Sequence, residues 1–238
     1  MKNSIEGRTA IISGAGSGVG RSVAIHLANL NVNLILIGRN EDKLLATKKL
    51  CNSNVNIDIY TCDVSREDEV KSLADKIEKL DFLFNNAALA FKGSIEETSP
   101  EIFTKLYETN VLGPFMLSKY LLEQLKSSDC ATIINMGSVV SNFGYRNESA
   151  YAASKHALLG LSKVMAKEYN EYDIRVHILC PGGIKTDMVK SMGAGLENDE
   201  RVILPEDIAD VIEFLLTHHD HAVIDQVNIH RSSKEPFQ

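Results

Sequence analysis

The chain has 238 residues, 44% of them hydrophobic and 24% charged, with a formal net charge of -7. These values fit one large α/β domain with a sizeable core and exclude a disordered chain. The acidic balance excludes a nucleic-acid surface, which needs clustered Lys and Arg. No apolar run nears the ~18 residues of a membrane span, and the start, MKNSIEGRTAIIS, has no signal-peptide pattern.

In chain order, Thr9–Ser13 (TAIIS) is the first expected strand. A glycine-rich turn and a helix from about Val19 to Leu30 follow it. Asn33–Ile37 is the second strand, Glu41–Leu50 a helix, Ile57–Thr61 the third strand and Glu67–Leu80 a helix. Phe82–Asn85 is the fourth strand. A long helix is expected from about Pro100, where proline suits a first turn, to Lys126. Thr132–Met136 is the fifth strand, Tyr151–Tyr172 a helix and Arg175–Leu179 the sixth strand. Pro205–Thr217 opens the last helix, and Val223–Ile229 is the seventh strand. Apolar strands alternating with helices imply a doubly wound parallel sheet in three α/β/α layers, here in a single domain over residues 1–238. Its ligands sit beyond the carboxyl ends of the strands. Residues 189–203, rich in Gly, Met and charge, have no clear period and read as a substrate-binding lid loop.

The turn after the first strand reads Ser13-Gly14-Ala15-Gly16-Ser17-Gly18-Val19-Gly20. Gly14 suits a tight turn, while Gly18 and Gly20 allow a pyrophosphate to approach and a helix to pack on the strand. The helix start would then offer N–H groups and a positive dipole end to phosphates. This is the pattern of a dinucleotide-binding (Rossmann) domain. The second strand ends Ile37-Gly38-Arg39, where an NAD-selective site carries an acid for the ribose 2′-hydroxyl. Gly38 cannot fill that role, and Arg39 can pair with a 2′-phosphate, so NADP(H) is favoured and NAD(H) stays as the alternative.

Tyr151 and Lys155 lie four apart at the start of a helix and share a face. Ser138 ends the fifth strand. A tyrosine titrates near ~10, too high for a good base at neutral pH. A nearby ammonium is expected to lower that value, and a serine hydroxyl can hold the substrate oxygen.

Together these motifs resemble the short-chain dehydrogenase/reductase family, in its compact single-domain branch, from Gly7 to about Val227. The glycine string fits the family's Ser/Thr-Gly-x-x-x-Gly-x-Gly pattern, and Asp63-Val64 fits its adenine pocket. Asn85-Asn86-Ala87-Ala88 fits Asn-Asn-Ala-Gly, with Ala88 in place of Gly. Asn110 matches the family's helix Asn, Ser138, Tyr151 and Lys155 match the catalytic set, and Pro181-Gly182-Gly183-Ile184 with Thr186 matches the nicotinamide segment. The resemblance implies that Tyr151 exchanges the proton and Ser138 orients the substrate oxygen. It implies that Lys155 lowers the Tyr151 pKa and binds the nicotinamide ribose, and that Asn110 holds a relay water. Ser17, Gly18, Val19, Asn86 and Ala87 would border the cofactor. The chain is thus expected to interconvert a secondary alcohol and a ketone without a metal, as a cytoplasmic homodimer or homotetramer.

The substrate walls are expected from Val140, Phe143, Tyr145, Gly183, Met188 and Met192, with Arg146 and Asn147 nearby. A 3-oxoacyl-carrier-protein reductase is the alternative activity. Those enzymes carry basic docking residues where this chain has Asp129 and Tyr172, which suits an acidic carrier poorly. A non-catalytic dinucleotide-binding regulator is the alternative of another class; such proteins usually lose the Tyr or Lys. A sugar-nucleotide epimerase would need an extra C-terminal domain. Where many members end their last strand in Val-Asp-Gly-Gly, this chain has Gln226-Val227-Asn228-Ile229-His230-Arg231. Cys51, Cys62, Cys130 and Cys180 read as reduced thiols, and His218, His219 and His221 as helix-end histidines rather than a zinc site.

Overall fold

The computed structural model describes residues 3–193, 201–218 and 222–234. Seven strands form one sheet: β1 (Thr9–Ser13), β2 (Asn33–Gly38), β3 (Ile57–Thr61), β4 (Phe82–Asn85), β5 (Thr132–Met136), β6 (Arg175–Pro181) and β7 (Gln226–Ile229). Their spatial order is β3-β2-β1-β4-β5-β6-β7, and every neighbouring pair is parallel. This is the doubly wound sheet expected from the alternating pattern. The chain reverses its direction of growth between β3 and β4, so the loops leaving β1 and β4 part from each other and open a crevice.

The helices α1 (Gly18–Asn29), α2 (Glu41–Leu50) and α9 (Pro205–Thr217) cover one face of the sheet. The helices α3 (Glu67–Ala74), α5 (Gly113–Tyr120), α6 (Leu122–Lys126) and α7 (Ser149–Tyr169) cover the other. Strand periodicity explains why both faces are dry. Ile12, Leu34 and Leu36 pack toward α1 and α9, while Ile11, Ile35 and Ile37 pack toward α3 and α5. Val23 and Leu27 of α1 meet Ile208, Ile212 and Leu215 of α9 in that first layer. No described helix is long and apolar enough to cross a membrane.

Four regions differ from the sequence pattern, beside shifts of one to three residues at the ends of α1, β2, α7 and β6. The helix expected to reach Leu80 ends at Ala74, where the N–H groups of Lys76 and Ile77 bond only three residues back; Ile77 and Leu80 still enter the core. The helix expected over Pro100–Lys126 is broken. After α4 (Pro100–Tyr107) comes a π turn over Glu108–Leu112, in which Gly113 N–H reaches back five residues to Glu108. Pro114 explains the break: it has no N–H to give to the carbonyl of Asn110, four residues earlier. β7 starts at Gln226, because Val223 and Ile224 lie on the surface without a neighbouring strand. Within residues 189–203, the start belongs to a short helix, α8 (Asp187–Ser191), capped by Thr186 Oγ1, and Ile203 bridges to Ile184. Residues 194–200 of the expected lid lie outside the described residues, as do His219 and His221. His218 bonds through Nδ1 to the Phe214 carbonyl and stacks on that ring.

The opposite edge of the sheet is tied by Asp81, which is fully buried just before β4. Its carboxylate accepts from Thr9 N–H at 2.8 Å, Ser128 Oγ at 2.7 Å and Arg8 Nη1 at 3.3 Å, so one side chain joins the starts of β1, β4 and β5. Asp81→Ala would strand these donors. We expect a loss on the order of 2–4 kcal/mol and a fall in Tm of several degrees, read by thermal unfolding, with cofactor affinity unchanged because Asp81 lies at the far end of the strands.

Candidate functional site

The site is built where β1 and β4 end. Ser13, the last residue of β1, places its hydroxyl between the two strands. It donates to the Phe84 carbonyl at 3.3 Å and accepts from Asn86 N–H at 2.9 Å and Ala87 N–H at 3.0 Å. The Asn86 amide then donates to the Ser13 carbonyl at 2.9 Å. The glycines of the first turn are required by what lies against them. Gly14 has a φ of +66°, and a Cβ on Gly20 would stand 2.5 Å from the Gly14 carbonyl oxygen. Ser17 precedes α1 without a side-chain capping bond, and the first turn of α1 carries no acid. The positive end of that helix is therefore left for an anionic group, the chemistry of a pyrophosphate.

The second half of the site follows β5. Ser138 is extended and held by a reciprocal box: its N–H donates to Ser141 Oγ at 3.2 Å, and its Oγ accepts from Val140 N–H at 3.4 Å. The same hydroxyl donates to the Pro181 carbonyl at 3.5 Å and lies near enough to the Tyr151 phenol to lower its pKa. Lys155, one turn along α7, is 2% exposed and donates from Nζ to the Met136 carbonyl at 2.7 Å. Its Nζ lies 5.8 Å from the centre of the Tyr151 ring. The expectation that Lys155 would draw the Tyr151 pKa down is not met. Burial pushes the phenol up to about 12, only partly offset by Ser138, and burial pushes the Lys155 ammonium down to about 8. At this depth desolvation outweighs a charge that is spent on a carbonyl and stands across the ring.

Asn110 does not reach the cleft. Its side chain brackets the backbone of Leu89, accepting from N–H at 2.7 Å and donating to the carbonyl at 2.8 Å, and it donates to Ser154 Oγ at 3.0 Å. Its side chain therefore ties the loop after β4 to α7, while Pro114 cannot give its backbone carbonyl the usual helical donor. Asp63 lies at the far end of the cleft. Burial would raise its pKa, but two bonds from Ser65 and the charges of Arg39 and Arg66 hold it below the usual value.

A cavity of about 640 Å³ joins these pieces. Of the residues singled out in sequence, Ser138, Tyr151 and Lys155 line its centre. Gly14, Ser17, Gly18, Val19, Arg39, Asp63, Val64, Asn86 and Ala87 line one arm or its approach. Pro181, Gly182, Gly183, Ile184, Thr186, Val140, Tyr145, Met188 and Met192 line the rest. Gly20 and Asn110 support the wall from behind, and Phe143, Arg146 and Asn147 are not on it. Sequence reading missed Lys43, whose Cβ lies 2.9 Å from where a Cβ on Gly16 would stand. It also missed Lys92, Glu148, His230, Arg231 and Lys234. No local motif marks them; only the packing of α2, of the loop after β4 and of the tail after β7 brings them in.

A family model for short chain dehydrogenases matches residues 8–197. An uncharacterized oxidoreductase of Thermotoga maritima is 35% identical over 201 residues, covering 83% of this chain and 80% of that one. A 3-oxoacyl-[acyl-carrier-protein] reductase of Rickettsia bellii is 30% identical, covering 93% and 94%. Among solved structures, an alcohol dehydrogenase of the archaeon Thermococcus sibiricus, complexed with 5-hydroxy-NADP, superposes with a TM-score of 0.89 at 25% identity, covering 98% of this chain and 100% of that one. The glycine turn, the pairing of half-buried Tyr151 with buried Lys155 and the sheet order thus agree with matches along nearly the whole chain, which is an oxidoreductase belonging to the short-chain dehydrogenase/reductase family.

Proposed function

We propose that the protein is an NADP(H)-dependent oxidoreductase that interconverts a secondary alcohol and a ketone, with Tyr151 as the proton donor and acceptor. The observation that carries this reading is the grouping of Ser138, Tyr151 and a buried Lys155 in the lining of one cavity. Ser138 and Tyr151 would both address the substrate oxygen: the serine orients it and the phenol gives or takes the proton. The Lys155 ammonium would bind the nicotinamide ribose, and the Asn110 carbonyl would support a water that returns the proton through Lys155. The glycine turn, Asn86, Ala87, Asp63, Ile184 and Thr186 would hold the dinucleotide, which supplies or accepts the hydride when bound. The T. sibiricus relative complexed with 5-hydroxy-NADP supports the cofactor class. A carrier-protein substrate, suggested by the R. bellii relative, is disfavoured because Asp129 is exposed and paired with Arg8 at 2.5 Å where a basic dock is needed.

Burial keeps the Tyr151 phenol protonated at neutral pH. Carbonyl reduction, which consumes that proton, should be nearly flat between about pH 6 and 8 and decline as Lys155 loses its charge above about 8. Alcohol oxidation needs the phenolate, so it should rise with pH by up to about tenfold per unit while the phenol dominates. Tyr151→Phe should cut kcat by roughly 10²–10⁴-fold in both directions, remove the alkaline climb of oxidation and leave NADPH affinity within a few fold. Steady-state rates in both directions across pH check this; a variant retaining more than half of the activity would contradict it.

Cofactor choice should rest on Arg39 with Lys43, which both line the adenine-side wall. Charge-assisted bonds to a 2′-phosphate are worth about 1.5–3 kcal/mol, or about ten- to a hundredfold in favour of NADPH. Gly38→Asp with Arg39→Ala should reverse the preference, and Lys43→Ala alone should weaken it. The ratio of kcat/KM for the two cofactors is the measurement; a wild-type ratio at or below one would make NAD(H) the working cofactor.

The protein should also self-associate through the face of α4, α5 and α7. Phe103, Tyr107, Leu112 and Phe115 are exposed along α4, the π turn and α5, and large apolar side chains exposed on neighbouring turns are what oligomers cover. Light scattering at micromolar concentration should report a dimer or tetramer, and Phe103→Glu with Phe115→Glu should shift it to a monomer.

A further inference from the structure

Among the described residues, six Lys or Arg side chains line the cavity against three Asp or Glu, in a chain whose net charge is -7. Arg39 and Lys43 belong to the adenine side and Lys155 to the centre. Lys92, Arg231 and Lys234, with His230, have no part in the dinucleotide reading above. They stand at the other end, on two sides of the reacting groups. The tail after β7 runs along the Ser138 loop. Gly182 N–H donates to the Ile229 carbonyl at 2.8 Å, and the Arg231 N–H lies 3.9 Å from where a Cβ on Gly182 would stand, with Val139 Cγ1 on the same spot at 3.7 Å. Asn142, just past that loop, donates to Asn228 Oδ1 at 3.1 Å, which pins the tail in place. Opposite, Lys92 reaches from the loop after β4 toward the Gly193 carbonyl at 3.5 Å. Gly93 N–H donates to the Asn147 carbonyl at 2.8 Å, so Lys92 sits beside the start of α7, near Glu148.

Low-dielectric walls lined by one sign of charge focus the field on what enters. Apart from Arg39, Lys43, Lys155 and Asp63, the described lining holds Lys92, Arg231 and Lys234 against Glu148 and Asp187, so cations exceed acids there as well. The guanidinium of an arginine matches a carboxylate with two parallel bonds. We propose that the substrate is a short oxo acid, its carbonyl addressed by Ser138 and Tyr151 and its carboxylate held by Arg231 and Lys234, with Lys92 closing the field from the opposite wall. This rests on the reductase reading above and narrows it to an anionic substrate class. It also gives a use to the polar, basic ending of the last strand.

The test compares 3-oxobutanoate with its methyl ester, using NADPH. The acid should have the higher kcat/KM by roughly tenfold or more, and that advantage should shrink as salt is raised while the ester rate stays level. Arg231→Gln and Lys234→Gln should bring the ratio toward one, leaving the ester rate and the NADPH Kd within about twofold. Equal rates for acid and ester in the wild type would overturn the inference and leave the reductase reading standing. A variant that weakens NADPH binding with the ratio unchanged would also overturn it, by assigning the tail cations to the cofactor. Faster reduction of glycerone phosphate than of the acid would overturn the carboxylate assignment. If neither compound turns over, calorimetry of 3-hydroxybutanoate into the NADP-loaded protein decides. Binding that is lost in Arg231→Gln supports the anion site although the reductase reading fails, and no binding overturns it. The salt series on the wild type needs no variant, so a substitution that impairs folding leaves the proposal testable.

Discussion

The pairing of β1 with β4 is the constraint on which the site depends. These strands are neighbours in space, yet 68 residues lie between the end of β1 at Ser13 and the start of β4 at Phe82. Their parallel register puts both ends at one edge, and the change of winding direction there sends the two following loops apart. Ser13 Oγ holds the divergence in one geometry, since its three bonds use the hydroxyl's donor and both acceptor positions. The glycine turn can then press against Ala87 and Asn86, where a Cβ on Gly14 would stand 3.0 Å from each. The wall that would meet a pyrophosphate is the back of this contact.

A second constraint is burial of charge. Lys155 is the largest fully buried side chain, and an ammonium in that position is costly unless it is bonded. The Met136 carbonyl at the end of β5 provides one bond. The same burial lowers its pKa to about 8. Tyr151 is shifted the opposite way by the same burial, so the pair is poised with the phenol protonated. The break in the helix at Pro114 belongs to this arrangement as well. It withholds the usual helical donor from the Asn110 carbonyl while the Asn110 side chain locks the loop after β4 against α7.

Much of this was legible in the linear pattern, because it depends on neighbours in sequence. Strands β1, β3, β4 and β5 follow from short apolar runs, and α2 keeps its expected range, capped in the structure by Asn40. The Gly14–Gly20 turn is visible because only glycine tolerates its φ and its contacts, and the pair Tyr151 and Lys155 because a helix returns to the same face after four residues. Their chemistry was less legible. The sign of the Tyr151 shift depends on depth, and depth is a property of the packed sheet and helices rather than of spacing. The ends of α3 and the π turn also escaped, since periodicity continues through residues whose backbone bonds have changed partner.

The sequence alone therefore determined the order of strands and helices, the glycine turn, the missing acid at Gly38 and the reactive pair, all set by local sterics and period. The tertiary structure alone decided what meets across the cleft. Lys43 comes from α2, Lys92 from the loop after β4, and Arg231 and Lys234 from the tail after β7, and they converge on one cavity because a parallel sheet brings the ends of distant strands to a single edge. Distance along the chain carries no trace of that meeting, and the electrostatic character of the site depends on it.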